Sequence, residues 1–367
     1  MGAGASATLR VEIERSSQMK EKLAAALKSE ARLQRQREAH QKEVAGAMKI
    51  AATTDFREFD GPGCRIEATE LRAITLKQLD AVWAHMKRRC AAENWTGSRP
   101  TKGADGMSKW MEISLTPVSV TLYDATTYVI KPSTVAKQCA FVELLATGPQ
   151  QPNWFVSHWW GEPIADFIAC LKQHTRDHGS VFCYWVCAYA NNQWELGTAV
   201  TSDPSQTSFC KAMDLSQGTV SILDTDGVVY SRVWCSYEVS KSLQMQKPYA
   251  YEVYTALKGG SGSSPSAVGM VQGWACSDNG WAENKLRRES TFPFDLASAA
   301  LSVKLETAVA SVEDDRIHIL NSIVGVPDLD GTPPAEHPKY DEVNSMLRGR
   351  FAVVLLRRAI ELGGESR

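Results

Sequence analysis

Between residues 154 and 257 the chain alternates short β-branched and aromatic runs with amphipathic helical segments, and this alternation constrains the fold more than any other feature. Trp154–Trp160, Phe182–Tyr189, Gly218–Asp224 and Tyr249–Leu257 have the length and composition of buried strands. Behind Pro163, a residue suited to a first helical turn, Ile164, Phe167, Ile168 and Leu171 recur at helical spacing. A second helix runs through Phe209, Ala212 and Met213, and a third from about Val233 to Met245. Strand–helix–strand units of this kind build a parallel sheet covered on both faces. The expectation is an α/β domain over residues 151–258.

The flanks read differently. Residues 1–52 are rich in Ala, Lys, Glu, Gln and Arg and hold no proline, so they form an N-terminal helix, solvated or docking, that ends before Asp60-Gly-Pro-Gly63. Residues 53–150 form an accessory α+β region. In it Thr75-Leu-Lys-Gln78 makes a capping box ahead of a helix through Leu79, Val82, Trp83 and Met86. Gly97–Gly106 reads as a polar loop, and Val118–Tyr123 with Thr127–Ile130 read as strands that extend the sheet or pair as a hairpin. The 259–266 stretch is a Gly/Ser linker. Residues 267–367 form a helical C-terminal region, with Asp314, Asp315 and Arg316 on a solvated face and Phe351–Leu356 anchoring the last helix on the core.

Composition excludes several classes. With 367 residues the chain can bury a large core, and a net charge of -2 gives no field for a nucleic-acid partner. Nine cysteines without a Cys-x-x-Cys pair match neither a disulfide framework nor a zinc ribbon. Cys183 and Cys187 fall within a strand pattern. His174 and His178, four apart, have no carboxylate or cysteine beside them and read as a solvated helix end, so no metal is expected. No apolar stretch reaches the ~18–20 residues of a membrane span, which leads to a cytoplasmic expectation. Met1-Gly-Ala-Gly-Ala-Ser6 fits an N-myristoylation acceptor with Gly2 as the acylated residue, giving at most weak peripheral membrane association; a flexible small-residue tail is the other reading. Phosphate loops of the P-loop or dinucleotide type are absent, and no cofactor is expected.

Ligands of open parallel sheets collect beyond the carboxyl ends of the strands. That rule selects Ser157, His158, Trp159 and Trp160 after the first strand, Asn192 after the second and Asp224 after the third, followed by Arg232, Trp234 and Glu238. Trp234 and Glu238 are i and i+4, an aromatic plate and a carboxylate expected on one helix face.

Three ordered blocks then carry a resemblance. Phe155-Val-Ser-His-Trp-Trp-Gly161 is similar to the first-strand block of HET (heterokaryon-incompatibility) domains, and Trp185-Val-Cys-Ala-Tyr-Ala-Asn-Asn-Gln193 resembles their Trp-Ile-Asp-x-x-Cys-Ile-Asn-Gln block. Tyr230-Ser-Arg-Val-Trp-Cys-Ser-Tyr-Glu238 resembles both the HET Arg-x-Trp-x-x-x-Glu element and the TIR Ser-x-Trp-Cys-x-x-Glu element. Residues 55 to 325 also resemble proteins of a family in dinoflagellate algae, which implies no activity. The TIR/HET resemblance implies a flavodoxin-like (TIR-like) parallel sheet with helices on both faces, in a signalling or defence protein that self-associates or binds a protein partner. It also implies hydrolysis of NAD, as substrate, at the nicotinamide–ribose bond. Glu238 would hold the ribose hydroxyls and stabilise developing positive charge, with Trp234 or Trp159 on the nicotinamide ring and His158 at phosphate or water. One position departs from the HET pattern: Cys187 stands where those domains carry an aspartate. A non-catalytic, self-associating or partner-binding scaffold of the same fold is the alternative. Cys235, with no histidine beside it, reads as a packed thiol.

Overall fold

The computed structural model describes residues 30–31, 34–56, 59, 63–102, 108–196, 203–257, 265–270 and 289–364. The expected acylation at Gly2 and most of the Gly/Ser linker lie outside them. The chain divides into two compact units, Met1–Asp55 and Phe56–Arg367. In the first, residues 34–53 are helical. Among the described residues no helix is long and apolar enough to cross a membrane.

The second unit is a mixed α/β structure. In chain order it contains β1 (Ile74–Thr75), α1 (Leu76–Glu93), β2 (Thr96–Lys102), β3 (Ser108–Ser114), a helical run α2 over residues 122–134 and α3 (Val142–Leu145). These are followed by β4 (Trp154–His158), α4 (Ile164–His178), β5 (Cys183–Trp185), α5 (Cys187–Ala190), α6 (Ser208–Leu215), β6 (Gly218–Leu223) and α7 (Val233–Leu243). The last elements are β7 (Ala250–Leu257), β8 (Ser266–Met270), α8 (Phe294–Ala300), α9 (Glu313–Val324) and α10 (Pro338–Gly364).

Six strands form one sheet in the order β1-β5-β4-β6-β7-β8. The central four are parallel, and β1 and β8 close the two edges antiparallel. Alternation along the strands sends successive side chains to opposite faces. On the first face Trp154, Val156, Tyr184, Val220, Ile222 and Tyr254 pack under α1 and α4. On the second face Phe155 and Trp185 meet α6, while Leu223, Tyr251 and Val253 meet α7, α8 and α10. Close packing leaves no room for a Cβ at Gly218, where it would strike the Trp154 ring. The last helix returns Val343, Leu347, Phe351 and Val354 to this core at helical spacing; of the expected anchor Phe351–Leu356, Phe351 and Val354 are buried and Leu356 is exposed.

The four middle strands and the helices after the first, second and third of them stand where the sequence pattern puts them, and Thr75 and Gln78 form the expected capping box. Four local expectations are corrected. Residues 118–130 hold no strand of the sheet: Thr121 and Asp124 make a capping box, and the Thr126 and Thr127 hydroxyls donate back to the Leu122 and Tyr123 carbonyls, so the β-branched residues sit in a helical run. Leu122, Ala125, Val129 and Ile130 are the buried stripe of that run. Residues 97–102 are no loop but half of a hairpin paired from Thr96↔Ser114 to Lys102↔Ser108, a ladder held by backbone bonds with little apolar content to announce it. β5 is three residues long, because Cys187-Ala-Tyr-Ala190 turns into helix and buries Ala188 and Tyr189. Asp315 and Arg316 are not on a free solvated face: Asp315 accepts a bond from Trp234, and Arg316 donates to the carbonyls of Ala308 and Glu306.

Candidate functional site

The residues selected at the carboxyl ends of the strands separate into three environments. The first surrounds Glu238. Helix α7 starts where residues 231–233 pair with Val309: Val233 N–H donates to the Val309 carbonyl, Val309 N–H donates to the Ser231 carbonyl, and the Arg232 guanidinium reaches Ser311 at 3.1 Å. The C-terminal region therefore clamps the helix. With α6, α9 and the sheet around it, eight of the eleven residues of α7 are buried and the other three partly so.

Glu238 consequently points into the protein. It is 5% exposed and accepts a hydrogen bond from the Ser157 hydroxyl of β4 at 2.5 Å. Burial pushes its carboxyl up to about 8, only partly offset by the Ser157 bond. Trp234 faces a different set of groups: its ring stacks on Phe209 at 5.3 Å and its indole N–H donates to Asp315 at 3.1 Å. The two side chains, expected on one helix face, therefore have different partners. Residues i and i+4 diverge by about 40° around a helix, enough on an enclosed helix to give each its own neighbours.

Trp160 lies beside the same region and donates its indole N–H to Cys187 Sγ at 3.0 Å. Burial, then the nearby Glu238, pushes the Cys187 thiol up to about 12, so it stays a neutral acceptor. An aspartate there would set a second carboxyl near Glu238, so the cysteine suits a site kept neutral. Burial and the same carboxyl raise the Cys235 thiol, which rests against the His158 carbonyl as a packed group.

The second environment lies on the first face of the sheet. The His158 ring sits 4.8 Å from Phe167 of α4, and burial lowers its pKa to about 4, so it is a neutral imidazole at physiological pH. Its Nε2 has no hydrogen-bond partner among the described residues. Nearby, Asp224 Oδ1 accepts the Asp226 N–H at 2.9 Å while Oδ2 is unpartnered among the described residues. Glu162, absent from the sequence-derived set, is 2% exposed, and neither of its carboxylate oxygens has a hydrogen bond among the described residues. Desolvation, then the Asp224 and Asp166 charges, holds the Glu162 carboxyl well above the usual carboxylate range. Its position directly before Pro163, just past the end of β4, was the signal that could have selected it. Trp159 is half-buried against the apolar cluster around α8 and α10.

The third environment is open. A cleft of about 660 Å³ has Cys64, Arg65, Arg72, Lys137, Cys139 and Asn192 among its lining residues. Of the sequence-selected residues, Asn192 alone lines it; its side chain donates to the Gln138 carbonyl at 2.8 Å and accepts the Trp194 N–H at 3.1 Å. Arg72 and Glu143 meet at 3.5 Å on one wall, and Glu143 accepts the backbone N–H groups of Ile66 and Ala140 at 2.7 and 2.8 Å. Burial, then Glu143, pushes Cys139 up to about 11, and the same causes raise Cys64, so neither thiol is an activated nucleophile. The walls carry cations and carboxylates together with carbonyls and amides.

Compared with protein-family models, curated proteins and solved structures, the chain matches none.

Proposed function

We propose that this chain is a non-catalytic binding module of TIR/HET-like, flavodoxin-type architecture, which takes a polar ligand or partner segment of near-neutral charge in the cleft walled by Arg72 and Asn192. The parallel strands stand in the order second, first, third, fourth, the order of flavodoxin-like sheets, and this supports the architectural half of the proposal.

One observation carries the functional half: Glu238 is a buried group hydrogen-bonded to Ser157 and lies outside the cleft. Cleavage of a nicotinamide–ribose bond needs an ionised carboxylate facing the sugar as positive charge develops. A carboxyl held neutral in the core, with Trp234 pinned to Asp315, does not supply that arrangement. In a signalling or defence protein such a module works by recognition and self-association.

The test incubates the full chain at high concentration with NAD and follows nicotinamide release, alongside light scattering over a concentration series. The expected result is no release from wild type or Glu238→Gln, with association that grows with concentration. Release by wild type that Glu238→Gln abolishes would overturn the proposal in favour of NAD hydrolysis, and a strict monomer without cleft binding would remove its recognition half.

A further inference from the structure

At the amino ends of the strands, opposite the cleft, α4 presents His174 and His178 one turn apart to Glu252 of β7, which stands beside Val220 in the centre of the sheet. The sequence expectation of a solvated helix end is corrected: His174 is fully buried, His178 nearly so, and the missing carboxylate arrives from a strand 74 residues after His178. One ligand-type atom from each of the three side chains lies within 4.8 Å of the other two. His178 Nε2 is 2.9 Å and His174 Nε2 3.5 Å from the same oxygen, Glu252 Oε2. In a tetrahedral site with metal–ligand bonds of ~2.0–2.1 Å, ligand atoms stand about 3.3 Å apart, a spacing that the two distances to Glu252 bracket.

The hydrogen bonds around the cluster are compatible with a cation between these atoms. His174 Nδ1 meets the Tyr184 hydroxyl at 2.9 Å, and that hydroxyl also faces the Leu171 carbonyl, an acceptor only. The Thr175 hydroxyl is a further partner of Tyr184 at 2.9 Å, and with the Tyr184 proton given to Thr175 or Leu171 the Tyr184 oxygen accepts from Nδ1, the tautomer that turns the Nε2 lone pair toward Glu252. In that tautomer a lone pair faces a carboxylate oxygen in the interior, an arrangement that a cation between them stabilises. The 2.9 Å contact between His178 Nε2 and Glu252 leaves His174 Nε2 without a partner among the described residues. Tyr184 on the far nitrogen fixes the ring orientation, as partners of metal-bound histidines do. The Trp154 ring, edge-on to both imidazoles at 4.5 and 5.1 Å, and Phe182 wall the cluster off with apolar surface.

We propose that His174, His178 and Glu252 bind a zinc-class divalent cation that ties α4 to β7. Two imidazoles and one carboxylate suit zinc, cobalt(II) or nickel(II) better than calcium or magnesium, which prefer all-oxygen sets. Three protein ligands leave one tetrahedral position, and the partly accessible rim at His178 is where water completes it. Bound in this way the ion is a structural clip, remote from the cleft, and it stabilises the folded chain by mass action.

The experiment uses the untagged full chain, dialysed against a chelator and titrated with cobalt(II). One equivalent should bind with the visible absorption of tetrahedral cobalt, and zinc should bleach it. His178→Gln and Glu252→Gln, each with the wild-type far-UV circular dichroism, should weaken binding more than tenfold. No saturable cobalt absorption at micromolar metal, or equal affinity in wild type and both variants, would overturn the proposal. Should either variant fail to fold, the thermal shift of wild type decides: zinc should raise its melting temperature and chelator should reverse the rise, and no shift would count against the site.

Discussion

Glu238, on α7 and bonded to Ser157 of β4, and Glu252, on β7, are both buried carboxyls against one sheet, yet their surroundings differ in kind. Glu238, on the second face, has one hydroxyl partner and is held neutral by desolvation. Glu252, on the first face, has two imidazoles within 3.5 Å. Burial alone thus separates neither a structural carboxyl from a functional one nor a site from a core; the partners do. An isolated buried carboxyl relaxes by keeping its proton, whereas one faced by two nitrogen ligands is built to hold positive charge.

The comparison breaks most visibly at Glu238→Lys. An ammonium placed against Ser157 has no counter-charge, and the chain should fail to accumulate as folded protein, since an unpaired buried charge costs ~3–5 kcal/mol or more. Recovery of soluble protein with wild-type circular dichroism would show that Glu238 reaches solvent. Next in size is Trp154→Ala, which removes the apolar wall of the histidine cluster. A cavity cost of ~3–5 kcal/mol should lower the melting temperature by roughly 6–10 °C, and a change under two degrees by calorimetry would show that the wall is not packed as described.

A smaller effect, in pH, sharpens the contrast further. Glu238 has a folded pKa raised from 4.5 to about 8, so between those values the folded state holds a proton that the unfolded state has released. Its contribution is full below pH 4.5 and is lost as pH rises through 8. Melting temperature should therefore fall more steeply from pH 5 to 8.5 in wild type than in Glu238→Gln. His158 acts in the opposite sense: its pKa is lowered from 6.5 to about 4, so its contribution is present above 6.5 and is lost as pH falls through 4. His158→Phe should flatten the acid side alone. Parallel curves for wild type and either variant would remove that group from the account. Least affected should be Trp234→Phe, which forfeits the bond to Asp315 for about 1 kcal/mol, a shift of a few degrees, with cleft binding unchanged.

What the sequence made legible follows the same division. The strands Trp154–His158, Gly218–Leu223 and Ala250–Leu257 were readable because buried parallel strands are apolar on both faces. Residues 118–130 misled because β-branched content outweighed the helical spacing of Leu122, Ala125, Val129 and Ile130. At the site, the carboxyl-end rule found Ser157, His158 and Glu238 but could not show that Val309, Ser311 and Asp315 close over the start of α7, a contact some 80 residues distant in the chain. The His174, His178 and Glu252 cluster was illegible for the same reason: its carboxylate comes from another strand, and local spacing carries no trace of it.

The protonation of Glu238 tests the central claim most directly. Carboxyl carbon NMR on glutamate-labelled full chain, with the Glu238 signal assigned by its loss in Glu238→Gln, gives its titration midpoint. A neutral core carboxyl bonded to Ser157 predicts a midpoint near 8. A midpoint near 4.5, the value of a carboxylate open to water, would contradict the account and return Glu238 to the solvent-facing role of a catalytic group.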